Sequence, residues 1–122
     1  MLSDAAAKKL NLGGVKRHMM ICLGPKCCPE DRGLAVWEHL KQRLKETGLV
    51  NNDTASLSRT KVKCLRVCCD GPVAVVYPEG TWYRLVDEQA IDTIIAEHLV
   101  NGRPVAKYAF AQTTLTLPGS PI

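Results

Sequence analysis

Six cysteines stand in two tight groups, Cys22, Cys27 and Cys28, then Cys64, Cys68 and Cys69, and no other feature restricts the folding of this chain as strongly. Disulfide frameworks spread their cysteines along short secreted chains. Here the thiols crowd into two short stretches of a 122-residue chain whose 46% hydrophobic content supports one core without staples. The opening residues, Met1 to Val15, mix Asp4, Lys8, Lys9 and Gly13-Gly14 with alanines and lack the continuous apolar stretch of an export signal. The expectation is a cytoplasmic protein whose clustered thiols bind metal or do redox chemistry.

Charge narrows the partners. The formal net charge is +4, with Lys16 and Arg17 ahead of the first cysteine group and Arg59, Lys61, Lys63 and Arg66 around the second. Nucleic-acid binding would want a longer basic stripe interleaved with aromatics, which one Phe and two Trp do not supply. No apolar run approaches the roughly 18 residues of a membrane span. The basic residues therefore read as compensation for an anionic centre and as a docking face for a protein.

Residues His18 to Leu23 form an apolar run suited to a buried strand. From Gly33 to Glu46, Leu34, Trp37, Leu40 and Leu44 follow helical spacing, and Gly48 ends the helix. Arg59 to Cys64 alternates, basic on one face and Thr60, Val62 and Cys64 on the other, as a half-buried strand with its basic side in water. Val73 to Tyr77, a turn at Pro78-Glu79-Gly80 and Thr81 to Val86 read as a hairpin. Asp87 caps a second helix with the stripe Ile91, Ile94, Ile95 and Leu99, ended by Asn101-Gly102.

The order is β-α-β-β-β-α, an α/β fold with a mixed sheet. Its first β-α-β unit makes two neighbouring parallel strands by a right-handed crossover. Cys22 and Cys64 then fall at the same sheet edge, where α/β folds build their sites. The two cysteine groups should meet in space.

Two loops offering two thiolates each can wrap a rhombic two-iron cluster, which needs four. Plant-type ferredoxins run C-x4-C-x2-C in one loop, which this chain lacks. Structural zinc and thioredoxin-type dithiols both want C-x2-C, also missing. Spacing thus puts a [2Fe–2S] cluster first and leaves open a zinc-stabilised four-cysteine binding module, thiol redox catalysis and inert thiols.

Longer motifs go further. Cys22-Leu-Gly-Pro-Lys-Cys27, followed by a helix, resembles the first half of the motif of thioredoxin-like [2Fe–2S] ferredoxins. Cys64-Leu-Arg-Val-Cys68-Cys-Asp-Gly71-Pro72-Val-Ala-Val-Val-Tyr77-Pro78-Glu-Gly80-Thr-Trp82-Tyr83 resembles the second half, and Glu97-His98-Leu99 with Gly102 and Pro104 continues it. The likeness is to the free Shethna-type ferredoxins and to the thioredoxin-fold subunit of respiratory complex I and hydrogenases. It implies a thioredoxin-like domain over 15–110, between a flexible N-terminal arm over 1–14 and a C-terminal tail over 111–122.

By position, the resemblance implies that Cys22, Cys27, Cys64 and Cys68 hold the cluster. The adjacent Cys28 and Cys69 read as small buried hydrophobes. It further implies a one-electron carrier that is not itself an enzyme, works between protein redox partners, and forms a homodimer; a subunit of a larger oxidoreductase is the alternative. Backbone N–H groups in Gly24 to Lys26 and Leu65 to Val67, with the dipole of the helix starting near Gly33, would face the sulfurs. Lys26, Lys63 and Arg66 would favour the reduced state. His98 reads as a helix cap, Trp82 and Tyr83 as packing or a partner surface, and Pro72 as the site of a cis bond.

Overall fold

The structure, a computed structural model, describes residues 1–113 and 115. Its elements are α1 (Leu2–Lys9), β1 (Arg17–Cys22), α2 (Glu30–Thr47), β2 (Leu57–Val62), β3 (Val73–Tyr77), β4 (Thr81–Tyr83), α3 (Glu88–Ile94) and β5 (Ala109–Gln112). A π turn, Ile95–Leu99, continues α3. Five strands form one sheet in the order β2-β1-β3-β4-β5. As expected from the β-α-β unit, β1 and β2 are parallel; all other pairs are antiparallel, so the sheet is mixed.

Pairing sends Met19 and Ile21 of β1, Ala74 and Val76 of β3 and Tyr83 of β4 to one face, because residues in register share a face. There they meet Val36, Leu40 and Leu44 of α2 and Ile91 and Ile94 of α3 in one core. Each such side chain contributes about 1.5–3 kcal/mol on burial. Asp87 caps α3 as expected, its side chain accepting from the Ala90 N–H at 2.8 Å. Gly48 ends α2 with φ +72°, a left-handed turn that glycine makes without steric cost. Asp92 Oδ1 accepts from His39 Nε2 at 2.8 Å and pairs with Arg43 Nε at 3.0 Å, tying α2 to α3.

Several expectations are corrected. Residues 1–14 carry α1 and a 3-10 turn at Leu12–Gly14, and α1 buries no residue. β5 crosses the boundary expected between domain and tail, and pairs with β4. Of that tail, residues 114 and 116–122 lie outside the described residues. α2 begins at Glu30 rather than near Gly33, and its buried stripe is Gly33, Val36, Trp37, Leu40 and Leu44, with Leu34 left 45% exposed.

The faces of β2 are the reverse of those expected. Arg59 pairs with Met19 and Lys61 with Ile21, so the basic side chains point with the core residues of β1 toward α2. β2 is an edge strand, so their stems can lie on Trp37 while the charges reach water. The Arg59 guanidinium and the Lys61 ammonium sit 5.8 and 5.9 Å from the Trp37 ring centre, with Lys41 at 5.8 Å. Alternation marks two faces but does not say which is wet at an edge.

His98 is not a helix cap. The π turn carries it into the core, where it is fully buried. The Val105 N–H donates to Tyr83 Oη at 2.9 Å; the ionised Glu79 can only accept, so neutral His98 keeps its proton on Nε2 and its Nδ1 accepts from the Tyr83 hydroxyl at 2.7 Å. His98 Nε2–H then donates to Glu79 Oε1 at 2.8 Å, and Arg17 donates to both Glu79 oxygens at 3.1 Å. Tyr83 is fully buried as well, so it belongs to the core and not to a partner surface.

Candidate metal centre

β1 delivers Cys22 at its last residue, and the chain then turns through Leu23-Gly24-Pro25. Gly24 has φ +97°, and a Cβ there would fall 2.3 Å from the Cys28 carbonyl oxygen, so a side chain is excluded twice over. Cys27 and Cys28 follow, just ahead of α2, whose N-cap is Pro29. On the neighbouring parallel strand, β2 ends at Val62, opposite Cys22, and Cys64 lies two residues further on. The sheet thus brings the two cysteine groups to one edge, as the topology requires.

The second loop is held in an uncommon backbone. Arg66, Cys68 and Asp70 have φ of +72°, +60° and +53°. Such residues cost of order 1–3 kcal/mol each and persist where the surroundings dictate them. Three backbone hydrogen bonds do so here: Gly71 N–H to the Cys27 carbonyl at 2.8 Å, Leu85 N–H to that of Asp70 at 2.8 Å, and Val86 N–H to that of Pro72 at 3.1 Å. A Cβ on Gly71 would stand 2.7 Å from both Cβ and Sγ of Cys27, so the two loops touch at a glycine. Gly71–Pro72 is cis, as expected; Gly24–Pro25 and Tyr77–Pro78 are cis as well. The clamping role of Leu85 and Val86 had no signal in the sequence, because it is carried by main-chain atoms.

Between the loops is a cavity of about 300 Å³ lined by Cys22, Gly24, Pro25, Lys26, Cys27, Lys63, Cys64 and Cys68. Its thiols come in two pairs, Sγ of Cys22 and Cys27 3.3 Å apart and Sγ of Cys64 and Cys68 3.9 Å apart. Two thiolates at about 2.3 Å from one tetrahedral metal stand about 3.8 Å from each other, so each pair fits one metal. Among the described residues no three donors gather about a single point. Two pairs across one cavity suit two metals sharing four thiolates.

The other two thiols stand aside. Cys28 is buried, as expected, with its Sγ 4.0 Å from that of Cys27, and it does not line the cavity. Cys69 does not line it either, but it is exposed, which corrects its reading as a small buried hydrophobe.

Electrostatics differ between the thiols. Burial opposes ionisation of Cys22, but hydrogen bonds from the Gly24 backbone, the Cys27 thiol and the Leu65 backbone outweigh it, and its thiol lies below the ordinary value. Burial, then the Cys22 hydrogen bond and neighbouring thiolates, push Cys27 up to about 12. The hydrogen bond and charge of Cys64, with some burial, raise Cys68. The Arg66 N–H donates to Cys64 Sγ at 3.1 Å. A bound cation displaces the protons that Cys27 and Cys68 hold, so metal binding at this site releases protons. Lys26 and Lys63 on the cavity wall add positive charge.

No protein-family profile matches the chain. Over 92 residues it is 36% identical to a protein of Priestia megaterium named as a 2Fe-2S ferredoxin, covering 75% of this chain and 68% of that one. To a 2Fe-2S ferredoxin of Clostridium pasteurianum it is 28% identical over 96 residues, covering 75% of this chain and 93% of that one. Among solved structures it matches the thioredoxin-like [2Fe-2S] ferredoxin from Aquifex aeolicus with a TM-score of 0.65 at 26% identity, over 87% of this chain and 98% of that one.

Proposed function

The chain belongs to the thioredoxin-like [2Fe–2S] ferredoxins, and from that premise we propose that Cys22, Cys27, Cys64 and Cys68 hold one [2Fe–2S] cluster through which it carries single electrons between protein partners. The observation that carries the ligand assignment is the cavity, which gathers these four thiols and leaves out Cys28 and Cys69. When bound, the cluster supplies a one-electron couple and gains one negative charge on reduction. Lys26 and Lys63 offset that charge, the Arg66 N–H donates to Cys64 Sγ, and the Gly24 backbone supports the Cys22 thiolate. We assign no catalytic step to the chain: its sequence has neither a glycine-rich dinucleotide loop nor a catalytic base set beside the cysteines.

Anaerobic purification tests this directly. The protein should be red-brown, with sulfide-to-iron absorption and about two irons and two sulfides per chain. A colourless protein with one zinc per chain would promote the binding module instead. The same sample tests a homodimer, which is supported by the part-exposed row Met20, Tyr77 and Trp82 on the sheet face away from α2 and α3. A light-scattering mass near the 13.4 kDa of one chain would reject pairing. The cytoplasm is the assigned compartment, since six free thiols suit reducing conditions. Recovery in an exported fraction would reject that.

Docking is assigned to the exposed basic rim of Lys61, Lys63 and Arg66, facing an acidic partner. Exposed charges are screened over about 8 Å at physiological ionic strength, so second-order electron-transfer rates should fall steeply as salt rises. Exchanging Lys61 and Lys63 for Glu should slow transfer about tenfold or more at low salt and flatten the salt slope. Equal rates and slopes for wild type and the double variant would reject the docking role.

A further inference from the structure

Leu34 follows the helical spacing of the α2 core residues, yet the core leaves it 45% exposed. It lines a second hollow, a groove of about 380 Å³ between the start of α2 and the end of β2. The apolar lining is Leu23, Leu34 and Val62; Lys61 and Lys63 stand on the β2 side and Glu30 on α2. The groove shares Gly24, Pro25 and Lys63 with the four-cysteine cavity, so the two hollows have a common wall.

We propose that this groove seats a short segment of the redox partner in which carboxylates flank one or two apolar side chains. The inference rests on the reading of the adjoining cavity as the cluster site, and names what docks beside it. Two cations face one carboxylate in the groove, and among the described residues neither Lys61 nor Lys63 has a carboxylate within ion-pair distance. Arg59, beside Lys61 on the Trp37 ring, extends the positive field along the β2 edge. A second copy of this chain, itself charged +4, fits that rim poorly. Charge alone would accept any acidic surface. The exposed Leu34 adds a demand for an apolar side chain, which turns attraction into register. A segment seated there lies against the loop that bears Cys22 and Cys27, so docking and electron entry share the Gly24-Pro25 wall.

The test uses the cluster-loaded protein and a fluorescein-labelled peptide, acetyl-Asp-Glu-Leu-Phe-Glu-Asp-amide, read by fluorescence anisotropy, with a control in which Leu-Phe is Ser-Ser. The wild type should bind the first peptide at least about fivefold more tightly than the control, since a part-buried Leu or Phe is worth about that much. Leu34→Ala and Leu34→Ser should each remove most of that difference. Both keep the fold, because Leu34 lies outside the core. Lys61→Glu should weaken both peptides about tenfold at low salt and less at high salt. Failure of the Leu-Phe peptide to bind overturns the groove, as does Leu34 variation without effect. An effect of Lys61→Glu alone also overturns it, leaving only the electrostatic rim. The visible absorption of the same samples reports the cluster separately, so its loss in the wild type would count against the cluster reading and not against the groove.

Discussion

Replacement of Cys22, Cys27, Cys64 or Cys68 by alanine should abolish stable cluster assembly, leaving protein that lacks the whole visible sulfide-to-iron band, while Cys69→Ala keeps it. Each iron of a two-iron centre takes two cysteine sulfurs and two sulfides in a tetrahedron. Removing one thiolate opens a position to water. Cys64 and Cys68 are exposed, so no apolar cover would keep water from that position. On the other side the lost contact is inside the cavity, and Cys28, with Sγ 4.0 Å from that of Cys27, is the one thiol near enough to compete. Cys27→Ala is therefore the sharpest case. Cys28 follows Cys27 directly, but its side chain does not line the cavity, so it should not rescue. Iron and sulfide analysis on anaerobically purified variants, with the absorption spectrum, decides it. A red Cys68→Ala protein together with a colourless Cys69→Ala protein would shift the second loop by one residue.

The parts of this site that were legible in the sequence are those set by side chains at fixed spacing. Cys22 ends an apolar run and Cys64 follows an alternating one, and parallel pairing of those runs puts both at one edge. The hairpin at Pro78-Glu79-Gly80 and the Asp87 cap were readable because turn and cap chemistry is local. What was not readable depends on partners far along the chain. Whether Arg59 and Lys61 face α2 is decided by register with Met19 and Ile21 and by the edge position of β2. His98 sits at a spacing that suits a helix end, and only the π turn carries it to Tyr83 and Glu79. β5 eluded the pattern since Ala109 to Gln112 has a single large apolar residue, Phe110, whose ring meets Trp82 edge-on at 6.5 Å. In each case tertiary context overrode a local signal.

Tyr83→Phe should destabilise the fold by about 2–4 kcal/mol and lower Tm by roughly 10–20 °C, a large share of an ordinary domain's stability. The ring stays, so packing is kept and only one oxygen is lost. That oxygen accepts from the Val105 N–H and donates to His98 Nδ1. With Tyr83 and His98 both fully buried, water cannot replace it, and two polar groups lose their partner at once. The same network sets a dependence on pH. Burial holds His98 below its ordinary 6.5 in the folded protein, partly opposed by the hydrogen bond to Glu79. The groups facing it are Tyr83 from β4, Glu79 from the hairpin turn and Arg17 from β1. As pH falls, the unfolded chain takes up the histidine proton first. Stability from neutral His98 is thus full above about pH 6.5 and is lost on the way down through the lowered folded value. Glu79 adds a second loss at lower pH: burial works against its ionisation, but Arg17 and His98 outweigh it and hold the carboxyl below its ordinary 4.5. His18, lowered by burial and by Arg59, titrates in the first window as well, so the comparison that isolates His98 is with His98→Gln. Urea unfolding followed by far-ultraviolet circular dichroism between pH 5 and 7.5 should show a steeper decline in wild type than in His98→Gln. Equal slopes would mean that His98 takes up its proton in the fold as readily as in the unfolded chain. A Tyr83→Phe protein with unchanged Tm would mean that Val105 and His98 find other partners.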